Sequence, residues 1–229
     1  MKNIKTKLLA LGMVATMIVG ATGCSFSFSI GGSKYSKASK KFTNAAKEAC
    51  GAEKANSKQR KAFRQGDIDA DGFEDGVYCV FSSSEAEGYE LTLQCAEAGD
   101  LEGVTLFYKI EDNHGIMAAV FDLEDKDLAQ DYYDGYLEEC QDNLFSEERM
   151  EQLDAAFTDH EWAVDDDAED EYLAIQRSDE GNGCDIVYLK VSGTLVYYVF
   201  YTGSCGSDVY DEFLDFMDEA DFPNPEGLL

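Results

Sequence analysis

The sequence predicts an α+β fold, antiparallel sheets packed with helices, built as two diverged helix-strand-strand-strand-helix copies over residues 34–143 and 146–229. Three observations carry that expectation. Strand formers cluster in two trios, Val77 to Ser82, Val104 to Ile110 and Ile116 to Leu123, then Tyr172 to Arg177, Cys184 to Val191 and Thr194 to Thr202. Segments with apolar residues at three- and four-residue spacing flank each trio. An acidic run precedes the first strand of both, Asp69 to Asp75 before Tyr78 and Asp165 to Glu171 before Tyr172.

The first helix is expected over Ser36 to Cys50, where Ala38, Phe42, Ala45, Ala46 and Ala49 make an apolar face and Lys37, Lys40, Lys41 and Lys47 fall opposite. Glu111-Asp112-Asn113-His114-Gly115 reads as the turn between the second and third strands. Glu85 to Gly99 mixes strand alternation with helix-forming composition and is assigned to helix. A helix follows over Lys126 to Asn143, with Leu128, Tyr132, Tyr136, Leu137 and Cys140 on one side, and another begins at Ser146 as N-cap. In the second copy Ser192-Gly193 is a tight hairpin turn, and Ser207 to Ala220 is helical through Val209, Tyr210, Phe213, Leu214, Phe216 and Met217. Pro223 and Pro225 end the regular structure.

Charge changes sign once along the chain. Cys24 to Arg64 holds ten basic residues against Glu48 and Glu53, a segment of +8, and Gln65 to Leu229 holds 5 basic against 45 acidic side chains, a body of −40. Such a body repels nucleic acid phosphates, so no nucleic acid partner is expected. The lysine face of the first helix has two readings: contact with anionic lipid or wall polymer, or pairing with the acidic body. With 13 Tyr, 14 Phe and only 2 Pro, the chain has enough apolar surface to fold.

Lys2, Lys5 and Lys7 lead into an apolar run, Leu8 to Ala21, that ends Ala21-Thr22-Gly23-Cys24. A basic start, an apolar stretch shorter than the ~20 residues of a spanning helix and small residues before a cut mark a removed signal, residues 1–23. Thr22, Gly23 and Cys24 resemble the lipobox of bacterial lipoproteins, in which the cysteine receives a diacylglycerol and becomes the first mature residue; Ala21 stands where that family more often has Leu. Residues 24–33 then form a short tether, in which Phe26, Phe28 and Ile30 alternate with serine. The lipobox, the charged helix and Glu74-Asp75-Gly76-Val77-Tyr78 together resemble small uncharacterised lipoproteins of gut-dwelling Gram-positive anaerobes. That resemblance implies lipid anchoring on the outer face of the cell membrane and supplies no activity.

Six further cysteines, Cys50, Cys79, Cys95, Cys140, Cys184 and Cys205, lack any Cys-Xaa-Xaa-Cys spacing. An even count in an exported chain predicts disulfides: Cys184 with Cys205, then Cys50 with Cys79 and Cys95 with Cys140, or else free buried thiols. Asp67, Asp69, Asp71 and Asp75, with Gly72 among them, look like the calcium loop of dockerins or of integrin-type propeller repeats. The other reading is a solvated acidic turn, and the second acidic run lacks the glycine. No cofactor beyond calcium is expected. His114 and His160 stand among acids, no Gly-Xaa-Ser-Xaa-Gly elbow or phosphate loop occurs, and Trp162 is the sole tryptophan, so no catalytic constellation assembles. The expectation is a non-enzymatic surface binding module, with calcium binding as the first alternative and a secreted hydrolase as the second.

Overall fold

Burial on both sides of the strands dictates the architecture. In His114–Leu123, Ile116, Ala118 and Val120 are buried toward one face, and Ala119, Phe121 and Leu123 toward the other. A strand apolar on both sides needs cover on both sides. The computed structural model describes residues 34–65, 68, 72–82, 85, 101–178 and 182–229, and in it a sheet lies between two helix layers.

The elements run α1 (Lys34–Cys50), β1 (Glu53–Lys54), α2 (Ser57–Gln65), β2 (Val77–Ser82), β3 (Leu101–Glu111), β4 (His114–Leu123) and α3 (Lys126–Glu139), which passes into a π-helical turn, Cys140–Leu144. Then follow α4 (Glu147–Ala156), β5 (Glu161–Asp165), β6 (Glu171–Ser178), β7 (Gly183–Ser192), β8 (Leu195–Gly203) and α5 (Asp208–Glu219). The strand order is β1-β2-β3-β4-β8-β7-β6-β5. Every neighbouring pair is antiparallel except β1 with β2.

α1 and α5 cover one face. Phe42, Ala45 and Ala46 of α1 and Val209, Phe213 and Phe216 of α5 bury against Phe107, Ile116, Ile186 and Val199. α2, α3 and α4 cover the other, where Phe63, Tyr132, Tyr133 and Met150 meet Phe81, Phe121, Leu189 and Phe200. Both clusters draw on both halves of the sequence.

Local chemistry sets the helix ends. Asp125 caps α3 by accepting from the backbone N–H of Asp127 and Leu128, each at 2.9 Å, and the Ser207 hydroxyl caps α5 by accepting from Tyr210 N–H at 3.2 Å. Ser146 holds the N-cap position of α4 through its backbone, with no side-chain cap bond. α2 is absent from the expectation above, although Asn56 and Gln59 form a reciprocal capping box at its start: Asn56 Oδ1 accepts from Gln59 N–H at 3.1 Å, and Gln59 Oε1 accepts from Asn56 N–H at 2.9 Å. α1 is pinned at its N-terminal end by Tyr35, whose ring lies over the bare Gly103. A Cβ there would stand 2.7 Å from the ring.

The structure corrects four expectations. The sheet has eight strands, because β1 and β5 add an edge to each trio. The β3–β4 turn, Asp112-Asn113 between Glu111 and His114, lies inside the stretch expected for it, whereas the β7–β8 turn is one step from where it was placed, Ser192 facing Leu195 across Gly193-Thr194.

The duplicated unit is not what the structure shows. A two-fold axis between β4 and β8 carries β2-β3-β4 onto β6-β7-β8, but it would keep α3 and α5 on one face, and they lie on opposite faces. The fourth correction is to the disulfides, since Cys50, Cys79, Cys140, Cys184 and Cys205 are free thiols. Cys50 faces the α1–α5 layer and Cys79 the other, so the sheet stands between them. Cys184 and Cys205 meet as hydrogen-bonded thiols; the nearest approach of two thiols is 3.2 Å, against the ~2.05 Å of a bond. Cys95 and the helix expected over Glu85 to Gly99 lie outside the described residues.

Candidate functional site

α1 divides its lysines between two tasks. Lys41 is paired with Asp221, and Lys47 stands 4.8 Å over the ring of Tyr78. Lys37 and Lys40 are exposed and make no ion pair among the described residues. Pairing with the acidic body is thus seen for Lys41 alone of these four among the described residues, and Lys47 meets an aromatic ring instead.

Beside Lys41 opens a cleft of about 190 Å³ between α1, the β7–β8 hairpin and the residues after α5. Its floor is aromatic: Phe42, Tyr197 and Phe222, the last two edge to face at 5.7 Å. Its rim is cationic. Lys41 comes from α1 and Lys190 from β7, and Lys34 Nζ lies 3.5 Å from where a Cβ of Gly193 would be. Each cation on the lining already has a carboxylate, Asp221 for Lys41 and Glu171 for Lys190 at 3.3 Å. Asp221 holds its place in the left-handed region, φ 55°, at the turn where the chain leaves α5.

A second, open groove of about 280 Å³ lies between α4 and the edge of the sheet, lined by Glu147, Met150, Glu151, Asp154 and Trp162. Asp154 is bonded to the side chain of His160, Nδ1 to Oδ1 at 2.6 Å. No serine, threonine or cysteine joins that pair among the groove's lining residues, which are otherwise Glu147, Glu151, Met150 and Trp162. His114 lies at the start of β4, against Gly203.

At the end of β8, the Cys205 thiol is half buried and pulled below the ordinary thiol range, first by its hydrogen bond with Cys184 and then by the charge of Arg177. That bond and burial push the Cys184 thiol up. Arg177 itself is held by Glu226 and donates to the Tyr210 hydroxyl at 2.9 Å.

Of the residues singled out in the acidic loop, Asp67, Asp69 and Asp71 lie outside the described residues, as does Cys24. Asp75 is exposed in a turn in which the Glu74 carboxylate accepts from Gly72 N–H at 2.8 Å. Backbone hydrogen bonds lower the Glu74 carboxyl. Among the described residues, no three His, Cys, Asp or Glu side chains are grouped to hold a metal ion, and no helix is long and apolar enough to cross a membrane.

The residues of the cleft come from α1, β7, β8 and the segment after α5. No local sequence pattern links them, because only the packing of the first helix beside the last brings them together.

These features define an α+β protein with one mostly antiparallel eight-stranded sheet between helix layers and a small aromatic, lysine-rimmed cleft. No protein-family model matches the chain, and no curated protein matches it. Among solved structures, the extracellular domain of PknH from Mycobacterium tuberculosis is similar with a TM-score of 0.33 and 11% identity, over 64% of this chain and 82% of that one.

Proposed function

We propose that the chain is a lipid-anchored, non-enzymatic binding module on the outer face of a cell membrane. In this reading Cys24 carries the lipid, and Lys37 and Lys40 rest on anionic headgroups. The observation that supports it is the free pair itself: two exposed lysines without carboxylate partners among the described residues, on the helix nearest the tether, in a chain whose body from Gln65 to Leu229 carries 45 acidic side chains. Acyl chains supply the attachment. The lysines set orientation, each adding about 1 kcal/mol near an anionic surface, while the acidic body is repelled outward and leaves the cleft and groove to meet ligands.

Two measurements test this. In a Gram-positive host fed an alkyne fatty acid, the wild-type chain should take up label, and Cys24→Ala should be unlabelled and released; an unlabelled wild type overturns the anchor. The Cys24→Ala protein should bind vesicles containing phosphatidylglycerol over neutral ones, and Lys37→Glu with Lys40→Glu should weaken that binding by at least about 30-fold, from two lost lysine contacts. Equal binding by the charge-reversed protein removes the orienting role.

A further inference from the structure

The sheet ends on two unlike edges. β1 is two residues long, whereas β5 spans Glu161–Asp165 and pairs only with β6. In an antiparallel strand, alternate residues turn their N–H and C=O toward the partner strand and the others turn theirs away. Along β5 the outward groups meet no backbone partner among the described residues. An open edge of this kind is a template for another strand.

Beside that edge stands an anchor. Alternation puts Trp162 and Val164 on the α4 side of β5; Val164 packs into the core there, and Trp162 remains 39% exposed. The ring borders the groove whose floor is Met150 and whose wall carries Glu147, Glu151 and Asp154. His160 fixes Asp154 through Nδ1, its own side chain wholly buried and its Nε2 without a partner among the described residues. An edge that served only to discourage pairing would have no use for an exposed indole next to an ordered carboxylate.

Charge selects the occupant. Between Glu147 and Asp170 there are eleven acidic side chains and one basic residue, Arg149. Two copies pairing antiparallel through β5 would set Glu161 of each against Asp165 of the other, and like charges directly opposite destabilise a sheet. A strand with lysine or arginine at every second position meets neither objection. Its backbone completes the β5 ladder, and its cationic side chains reach the carboxylates of α4 and the face of Trp162.

We propose that the β5 edge and the Trp162 groove form a docking site for an extended, basic segment of a partner protein, added to the sheet as a ninth strand. The site does not depend on where the chain is anchored, and it fails or stands separately from the lipid-anchor reading.

Trp162 is the sole tryptophan, so its emission reports on this groove alone. The full-length Cys24→Ala protein is titrated with a capped peptide of about ten residues alternating lysine and threonine, long enough for a full strand. The expected result is a saturable change in Trp162 emission that weakens about ten-fold or more as salt rises from about 50 to about 300 mM. Glu147→Lys with Glu151→Lys, both on the outer side of α4, should weaken it at least as much. N-methylation of one of the two alternating sets of peptide amides should abolish it, because that set donates to β5.

Three results overturn the proposal: no change in emission at millimolar peptide, an equal response to the glutamate-threonine counterpart, or undiminished binding by both N-methylated peptides. The last would mean charge attraction without strand addition.

Discussion

Phe216→Ala should cost about 4 kcal/mol of folding stability. Phe216 is fully buried on α5, with ring centroids 5.3 Å from Phe42, 5.4 Å from Phe107 and 6.4 Å from Phe222. Truncating a buried phenylalanine removes its transfer energy and leaves a cavity, ~3–5 kcal/mol together, and the three ring contacts place this site in the upper half of that range. Natural domains hold only ~5–15 kcal/mol in reserve, so the variant should stay folded in buffer with a sharply lowered denaturation midpoint. With a urea slope of ~2 kcal/mol per molar, the midpoint falls by ~2 M at unchanged slope. Phe157→Ala is the control, since Phe157 is 36% exposed and should change stability by under ~0.5 kcal/mol. Amide exchange should also speed up more in α1 than in α3, because Phe42 is the ring through which α1 meets α5. A loss under ~1.5 kcal/mol, or one no larger than the control's, would refute the assignment of Phe216 as the joint of that layer.

Two further outcomes follow from buried groups. Burial raises the Asp122 carboxyl, against the lowering effect of the Thr194 hydroxyl that donates to it at 2.8 Å; a raised folded-state value gives stability at low pH that is lost as pH rises through it. Asp122→Asn keeps the acceptor without the charge, so its melting temperature should gain on the wild type between about pH 3 and about pH 7, and parallel curves would refute this. For the thiols, iodoacetamide near neutral pH should label Cys205 first among the five described cysteines, because burial shields Cys50, Cys79, Cys140 and Cys184. Cys184→Ala should shift the Cys205 labelling profile to higher pH, and an unmoved profile would sink the hydrogen-bond explanation.

How much of this was legible in the chain depended on what each feature is made of. α1, β4, β7, β8 and α5 follow apolar periodicity, which the core enforces directly, so their positions agree closely with the reading of the sequence. β5 escaped because Glu-Trp-Ala-Val-Asp has charged ends and no fully buried residue, the pattern of an edge rather than of a core strand. α2 escaped because its composition is basic, though the Asn56 and Gln59 capping box was there to be found. The repeat was half legible. Strand order mirrors about β4 and β8, but the face a helix takes is decided by the path of its connection, which no periodicity encodes. The cysteine count misled for a similar reason, since parity says nothing about which side of a sheet each thiol occupies. The free lysines Lys37 and Lys40 were visible as a charged face, whereas the loss of Lys41 to Asp221 required the end of the chain to be in place. Of the acidic loop's four aspartates, only Asp75 lies among the described residues.

The pairing of α1 with α5 has a consequence for the order in which the molecule can be made. The first helix rests on the last through Phe42 and Phe216, through the Cys50 thiol donating to the Glu212 carbonyl at 3.6 Å, and through Lys41 and Asp221. β4, equally, has no neighbour on its inner side until β8 arrives. A chain emerging from its N-terminus therefore cannot bank completed pieces. The apolar side of α1 and the inner edge of β4 stay open until synthesis has passed α5, and the long loops closed at that moment make the final step slow. The fold works as a clasp whose two halves are α1 and α5, and deleting either helix leaves an unlatched sheet with Phe107, Ile116 and Val199 bare.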